Sequence, residues 1–409
     1  MGLLVTRKNN IFGLWKIFMK INSFTLIALI NVITVALLTS CVERYHPDDL
    51  YLKEGLLVIG AHITNEPGTQ TIEVSRSSHP ELPGFNPESG CFILLLREDG
   101  ESREFIASEE PGFYSAELDS SYLRTGMLFQ IQMLTQDGNE YHSEFDMIRP
   151  VPAIDRVYYK VEDMIYSGED DPVPGIRFYL DFTNDNEAYE YIRWELTETY
   201  EFHNPSMEAF IHYNRWTVRP LEGEDNPRVC YITHVLPAGH SIATKQLEFG
   251  SFNKAFDFVP NDWNEQKLIF KYSLRVRQYS LGPGGYKYWN EIGALRQGQG
   301  SMFDRQPALL KSNIYNIADE SEKVLGFFTM SGVQEARAFA EDIPGLDHKP
   351  NPYYCLPVDR GPGSGTPTYF PSYFARATYD GTTVYAVVNM HCVDCREYNG
   401  SSALKPDFW

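Results

Sequence analysis

Positive charge is scarce in this chain: 35 Lys and Arg stand against 55 Asp and Glu among 409 residues, a formal charge of −20. That shortage excludes nucleic acid as a partner, because phosphate contacts need Lys and Arg. It also leaves little to dock the protein on an anionic membrane surface. Long apolar runs are missing too. The run near the N-terminus, Phe24 to Leu38, is interrupted by Asn31 and Thr34 and is shorter than the roughly 20 residues that cross a bilayer. The ten histidines include no His-Glu-x-x-His pair for zinc. Ser364 lies in Gly-Pro-Gly-Ser-Gly, which lacks the Gly-x-Ser-x-Gly frame of a nucleophile elbow. No glycine-rich phosphate loop follows a strand pattern, so no cofactor is expected.

What is present begins with an address. Arg7, Lys8, Lys16 and Lys20 surround the start of the chain, and no acidic residue occurs before Glu43. Leu38-Thr39-Ser40-Cys41 closes the apolar run. A basic n-region, an apolar h-region of about 15 residues and small residues at the cut have the layout of a secretory signal peptide. The closing residues resemble a bacterial lipobox, whose cysteine is lipidated and becomes the first mature residue. Residues 1–40 are therefore expected to be a lipoprotein signal, with Met1 or Met19 as its start. Cys41 is the expected lipidation site, and 41–54 a tether. Without the four basic residues of the signal the mature protein is more acidic still, so lipid must do the anchoring. One acyl chain holds only marginally; a lipoprotein cysteine carries several.

The remainder reads as strands and turns. The chain has 26 Tyr, 25 Phe, 30 Gly and 25 Pro, a composition that suits strands joined by many turns. Thr71 to Arg76, Cys91 to Leu96 and Met127 to Met133 are strand patterns, and Asp99-Gly100 and Asp137-Gly138 are hairpin signals. Such spacing predicts an N-terminal β-sandwich of the immunoglobulin-like or carboxypeptidase-regulatory-like kind over 55–152. Pro150 and Pro152 break the pattern. A larger β-rich domain with one or two short helices is expected over 153–409. Within it Ile176 to Phe182, Tyr191 to Tyr200 and Leu268 to Leu281 alternate. Gly282-Pro283 suits a helix start, with Tyr288, Trp289, Ile292 and Leu295 on one helical face. Thr378 to Met390 suits a hairpin about Asp380-Gly381.

Several groups could carry chemistry, and each has a plainer reading. Export to an oxidising compartment makes disulfides the default; Cys230, Cys355, Cys392 and Cys395 allow three pairings. Cys355, His391, Cys392 and Cys395 could instead hold zinc, but they contain a single Cys-x-x-Cys. A thioredoxin-like pair lacks its βαβ surroundings, and no metal site is expected. Cys91, in an apolar strand, reads as a buried free thiol. Glu195 and Glu201 share one strand face and Glu198 takes the other. Two carboxylates could act as acid and base in glycoside cleavage; pairing with Arg193, Arg275 and Arg277 is the plainer reading. Asp181, Asn184, Asp185 and Glu187 could cradle calcium, or simply form a polar turn. Trp194, Tyr279, Tyr286 and Trp289 are the candidate binding residues, because aromatic faces can stack on sugars or peptides; at strand and helix spacing they also suit a core.

One set of motifs carries a resemblance. Tyr191 to Phe202, Tyr272 to Trp289, Gln306-Pro307 with Asn313-Ile314, Leu325-Gly326-Phe327-Phe328, and the closing Cys392-Val393-Asp394-Cys395-Arg396 before Phe408-Trp409 occur in that order. From Cys41 to Trp409 the chain resembles a lipoprotein family classed as a domain of unknown function, encoded beside SusC-like TonB-dependent outer-membrane receptors. The resemblance implies an outer-membrane lipoprotein, surface facing, working with a receptor barrel. It brings no catalytic residue. The loop from Gly361 to Pro371 departs from the pattern as an insertion. The expected function is therefore a non-catalytic accessory subunit, binding ligand or capping the barrel in nutrient uptake. The alternatives are an extracellular glycan or peptide hydrolase, and an outer-membrane assembly or structural factor.

Overall fold

Alternating apolar residues build the first sheet. β1 (Leu57–Thr64) buries Leu57, Ile59, Ala61 and Ile63, every second residue, as a strand with one face on a core must. β2 (Gly68–Arg76), β3 (Phe92–Arg97), β4 (Ser102–Ala107), β5 (Phe113–Leu118), β6 (Leu128–Leu134) and β7 (Glu140–Ser143) follow. The Asp-Gly signals fall where expected, turning β3 into β4 and β6 into β7. The computed structural model describes residues 55–78, 82–165, 171–204, 209–212, 214, 217–221, 228–237, 240–242, 248–262, 266–297, 310–346, 372–379, 382–388 and 390–409. The signal segment, Cys41, the tether, Cys355, the loop 361–371 and the turn 380–381 lie outside the described residues.

The second half repeats the principle with longer strands. β8 (Ile154–Met164), β9 (Val173–Asn184), β10 (Tyr191–His203), β11 (Val229–Val235), β12 (Gly250–Pro260) and β13 (Lys271–Leu281) come first. α1 (Pro283–Gln297), β14 (Ile314–Asn316), β15 (Leu325–Ser331) and β16 (Val333–Glu341) come next. β17 (Ser372–Tyr379) and β18 (Thr382–Val388) pair antiparallel, as the hairpin pattern predicts. A three-stranded sheet has the order β8-β9-β12, and a six-stranded sheet has the order β16-β13-β10-β11 with Ser401–Ser402 on its edge and His240–Ile242 paired to β10. Ile176, Phe178, Leu180 and Phe182 of β9 meet Trp194 and Leu196 of β10 and Tyr272, Leu274 and Val276 of β13 in one core. The protein is mostly β with a single α-helix among the described residues, and two short 3-10 turns sit near its C-terminus.

The first sheet is not completed by the first 152 residues. Its path runs β14-β7-β6-β3-β4-β5-β2-β1-β15, so both ends of the path are strands from beyond residue 310. One side-chain cluster joins Leu57, Ile59, Val74, Ile93, Leu95, Phe129 and Phe328, so the path wraps around a single core like a sandwich. β1 and β15 pair in parallel, Val58 opposite Leu325 through Thr64 opposite Ser331. β15 then passes through Gly332 into β16, which pairs with β13 in the second half. A Cβ on Gly332 would lie 2.4 Å from the Arg149 carbonyl oxygen, so this corner admits only glycine. Residues Glu54–Trp409 accordingly form one compact unit.

Candidate functional site

β10 is the spine of the site. Its alternation sends Trp194, Leu196, Glu198, Tyr200 and Phe202 inward, and Arg193, Glu195, Thr197, Glu201 and His203 to the other face. Where that outer face meets β1 and α1, a cluster of cations and aromatic rings forms. The Arg193 guanidinium lies 3.9 Å from the centre of the Trp289 ring and 5.5 Å from that of Tyr279. Arg277 approaches Tyr279 at 5.4 Å. His62 of β1 meets Tyr279 edge-on at 4.6 Å, and its Nε2 lies 3.0 Å from Ser331 Oγ. Burial, with help from the nearby charges of Arg193 and Arg277, pushes the His62 pKa down to about 3, so the imidazole is neutral at ordinary pH. Burial also holds the Tyr279 hydroxyl well above its usual range.

Every carboxylate at this joint is held. Glu195 lies 3.5 Å from Arg193 Nη2 and accepts a hydrogen bond from the Tyr279 hydroxyl at 3.3 Å. Glu66, in the turn after β1, pairs with Arg277. Glu335 of β16 pairs with Arg275 at 2.6 Å and reaches Arg277 at 3.6 Å. The other two glutamates of β10 are held as well. Glu198 is 3% exposed; Lys267 Nζ lies 3.0 Å from it, and the Tyr272 hydroxyl donates to it at 2.8 Å. Glu201 contacts His203 Nε2 at 2.5 Å and accepts from Trp409 Nε1 at 3.0 Å. Glu195 and Glu201 do share a face, but six residues of strand separate them by roughly 20 Å. A glycosidase pair needs about 5–9.5 Å, so these two cannot work on one bond.

Of the four candidate binding aromatics Trp194 stands apart, while Tyr286 and Trp289 both pack against Tyr191 and Leu281. Tyr279 and Trp289 meet around Arg193 in the cluster just described. Trp289 Nε1 is buried without a hydrogen-bond partner among the described residues. Tyr286 stacks on Tyr191 at 4.5 Å. Trp194 points the opposite way and is 0% exposed; its Nε1 donates to Gln278, whose own amide donates to the Pro152 carbonyl, both at 2.7 Å. It is core, because its face of β10 is the buried one. α1 starts at Pro283, as the Gly-Pro signal predicts, and turns Tyr288 onto Phe327 of β15 at 4.9 Å. The side chain of Leu295 lies outside the described residues. Asp181, within β9, accepts from Arg156 Nε at 2.6 Å. Among the described residues no three His, Cys, Asp or Glu side chains come together as a metal site.

The cysteines divide as follows. Cys230 of β11 and Cys395 form a disulfide across 165 residues of sequence. Cys392 is disulfide-bonded too, with a partner outside the described residues. Cys91 is free and half-buried, and burial raises its thiol pKa. The disulfide brings the C-terminus onto the outer face of the second half. There Trp409 meets Tyr231 edge-on at 5.4 Å, and Arg337 lies 3.5 Å from the Phe408 ring. His62, Glu66, Ser331 and Glu335 escape sequence reasoning. Each is a lone polar residue in or beside a strand, with no local pattern to distinguish it.

A family described as a domain of unknown function (DUF4249) matches residues 42–337. The chain belongs to the DUF4249 family. The match runs from just after Cys41 into β16, and so includes the joint but not β17, β18 or the C-terminal segment of this DUF4249 protein. No curated protein matches it. Among solved structures it is similar to a DUF4785 family protein (lpg0956) from Legionella pneumophila, at 13% identity over 54% of this chain and 50% of that one, with a TM-score of 0.18. The chain thus spans about half the length of that protein. It is also similar to the BSP domain of a biofilm associated protein, at 8% identity over 69% and 59% of the two chains, with a TM-score of 0.15. A partial N-terminal region of an enterococcal surface protein is similar at 8% identity over 58% and 93%, with a TM-score of 0.15. Scores this low establish no shared function.

Proposed function

We propose that this DUF4249 protein is a lipid-anchored outer-membrane lipoprotein that acts, without catalysis, as the ligand-binding or capping subunit of a SusC-like TonB-dependent uptake receptor. The lipobox-like Leu38-Thr39-Ser40-Cys41 and the family resemblance supply the address and the partner. The observation that carries the non-catalytic reading is the state of the carboxylates. All three glutamates of β10 are held by a cation or a histidine, and the two that share a face stand too far apart for joint acid–base work. The aromatics and arginines around His62 bind the two halves together instead. A body locked in this way suits a lid or binding platform, which needs a fixed surface rather than a poised acid and base.

Recovery of the protein from native membranes in mild detergent tests this reading. The tag belongs in the exposed Asp137-Gly138 turn, because the C-terminal Trp409 is packed against Glu201. Stoichiometric co-recovery of one TonB-dependent barrel is expected, and Cys41→Ser should release the protein from the membrane fraction. Recovery of no barrel, or of an assembly machine instead, would overturn it.

A further inference from the structure

The first half has two ends. At one, Thr64 closes β1 and the turn beyond it meets the second half: Glu66 pairs with Arg277, and Asn65 Oδ1 accepts from the Val333 amide at 2.9 Å. At the other the described residues begin, at Gly55, which donates to the Ser77 carbonyl at 3.0 Å and accepts from Arg76 at 3.1 Å. Strand register lays a belt of apolar side chains along this tether end. Phe92 of β3 stands opposite Leu134 of β6. Because Ile93 faces Phe105, Phe92 also lies beside Ile106 of β4. Alternation turns these three to the outer face of the sheet, away from the core. Ile317, just after β14, donates to the Glu140 carbonyl, and Glu140 faces Leu134. On the other flank Phe85 packs on Phe113 of β5 at 5.6 Å. Phe85, Phe92, Ile106, Leu134 and Ile317 are 44–68% exposed, whereas an isolated domain has no need to align large apolar side chains on its surface.

Resting on the lipoprotein reading above, we propose that this belt lies against the bilayer that holds the Cys41 lipid, with the second half standing away from it. Chain length and direction favour lipid as the occupant. Fourteen residue steps separate Cys41 from Gly55, so even at full stretch the lipid stays within about 50 Å of the tether end. The belt is at that end, and the second half packs on the opposite one. The eight residues of β1 run from one end to the other and hold the second half roughly 25 Å from the lipid. Chemistry agrees. Attachment at a lipid interface grows with the apolar area buried there, and the belt offers Phe, Ile and Leu. Glu140 is the one charge in the row, and its carboxylate is drawn to His142 Nε2 at 2.9 Å, farther along β7 from the tether end. Glu104, Glu109, Glu110 and Asp137 flank the belt and are exposed. Docking on anionic headgroups needs clustered Lys and Arg instead, so the contact is with neutral lipid and is apolar.

Photocrosslinking tests this on the mature protein, purified from membranes and reconstituted in phosphatidylcholine vesicles that contain a phospholipid with a diazirine on its acyl chain. Mass spectrometry is expected to find crosslinks in the peptides that carry Phe92, Ile106 and Leu134, and none in the second half. Ile106→Glu should lower crosslinking of these peptides at least threefold while the protein still floats with the vesicles through Cys41. Val235→Glu, at an equally exposed position of β11, should change nothing. Adding phosphatidylglycerol should bring no increase; a rise would mean headgroup docking and overturn the apolar contact. Protein that floats but leaves the belt free of crosslinks overturns the inference and spares the lipoprotein reading. If that protein also sediments as a dimer, the belt belongs to a second copy. An intact mass with no lipid on Cys41 overturns both.

Discussion

Neutral His62 between two arginines makes the protein sensitive to acid. Its pKa lies near 3 in the folded protein and near 6.5 in an unfolded chain. Between those values the unfolded chain binds the extra proton, so stability falls as pH is lowered through this window. Between pH 7 and pH 4.5 the His62 imidazole by itself should remove roughly 2 kcal/mol. His62→Gln, which can still reach Ser331, should flatten this part of the profile. Urea unfolding at pH 4.5 and 7 measures the difference; an unchanged profile in the variant would assign the sensitivity elsewhere. Nothing in the sequence around His62 announces this. The two arginines lie more than 130 residues away, and only packing brings them to it.

β15 and β16 hold the two halves together as consecutive strands that bend at Gly332, β15 pairing with β1 and β16 with β13. Gly326 has φ +89°, and a Cβ there would lie 2.0 Å from the Ile59 carbonyl oxygen. The left-handed backbone and the close approach exclude any side chain. Gly326→Ala should therefore cost roughly 3 kcal/mol or more, read as a lower denaturant midpoint. The Cys230–Cys395 disulfide ties β11 to the C-terminal segment across 165 residues. Replacing both cysteines with alanine should cost about 2–5 kcal/mol and release Trp409 from Glu201, visible as a change in tryptophan emission. Strands such as β9 are legible in advance, since Ile176, Phe178, Leu180 and Phe182 are apolar at every second position and all lie in the core. The parallel pairing of β15 with β1 is not, because a strand's side-chain pattern says which face is buried and not which neighbour it takes.

At the scale of the whole molecule, the proline break near residue 152 is not where the first core ends. β14 and β15 complete that sheet from beyond residue 310, and Phe328 and Met330 sit in its core. A fragment of residues 42–152 should therefore lack cooperative thermal unfolding and disperse poorly in amide NMR spectra, while 42–409 unfolds cooperatively. A well-dispersed spectrum from the fragment would refute this. By itself the sequence determined the mostly β class, the Asp-Gly turns, the helix starting at Pro283 and the opposite directions of Glu195 and Glu198, because period and turn chemistry act between near neighbours. Tertiary structure alone decided the rest. It chose Cys395 as the partner of Cys230, buried Trp194 while bringing Tyr279 and Trp289 around Arg193, and set His62 and Glu66 against β13. Those outcomes depend on which distant strands pair and how tightly they close on one another. That is a property of the folded chain, and local sequence does not encode it in any readable pattern.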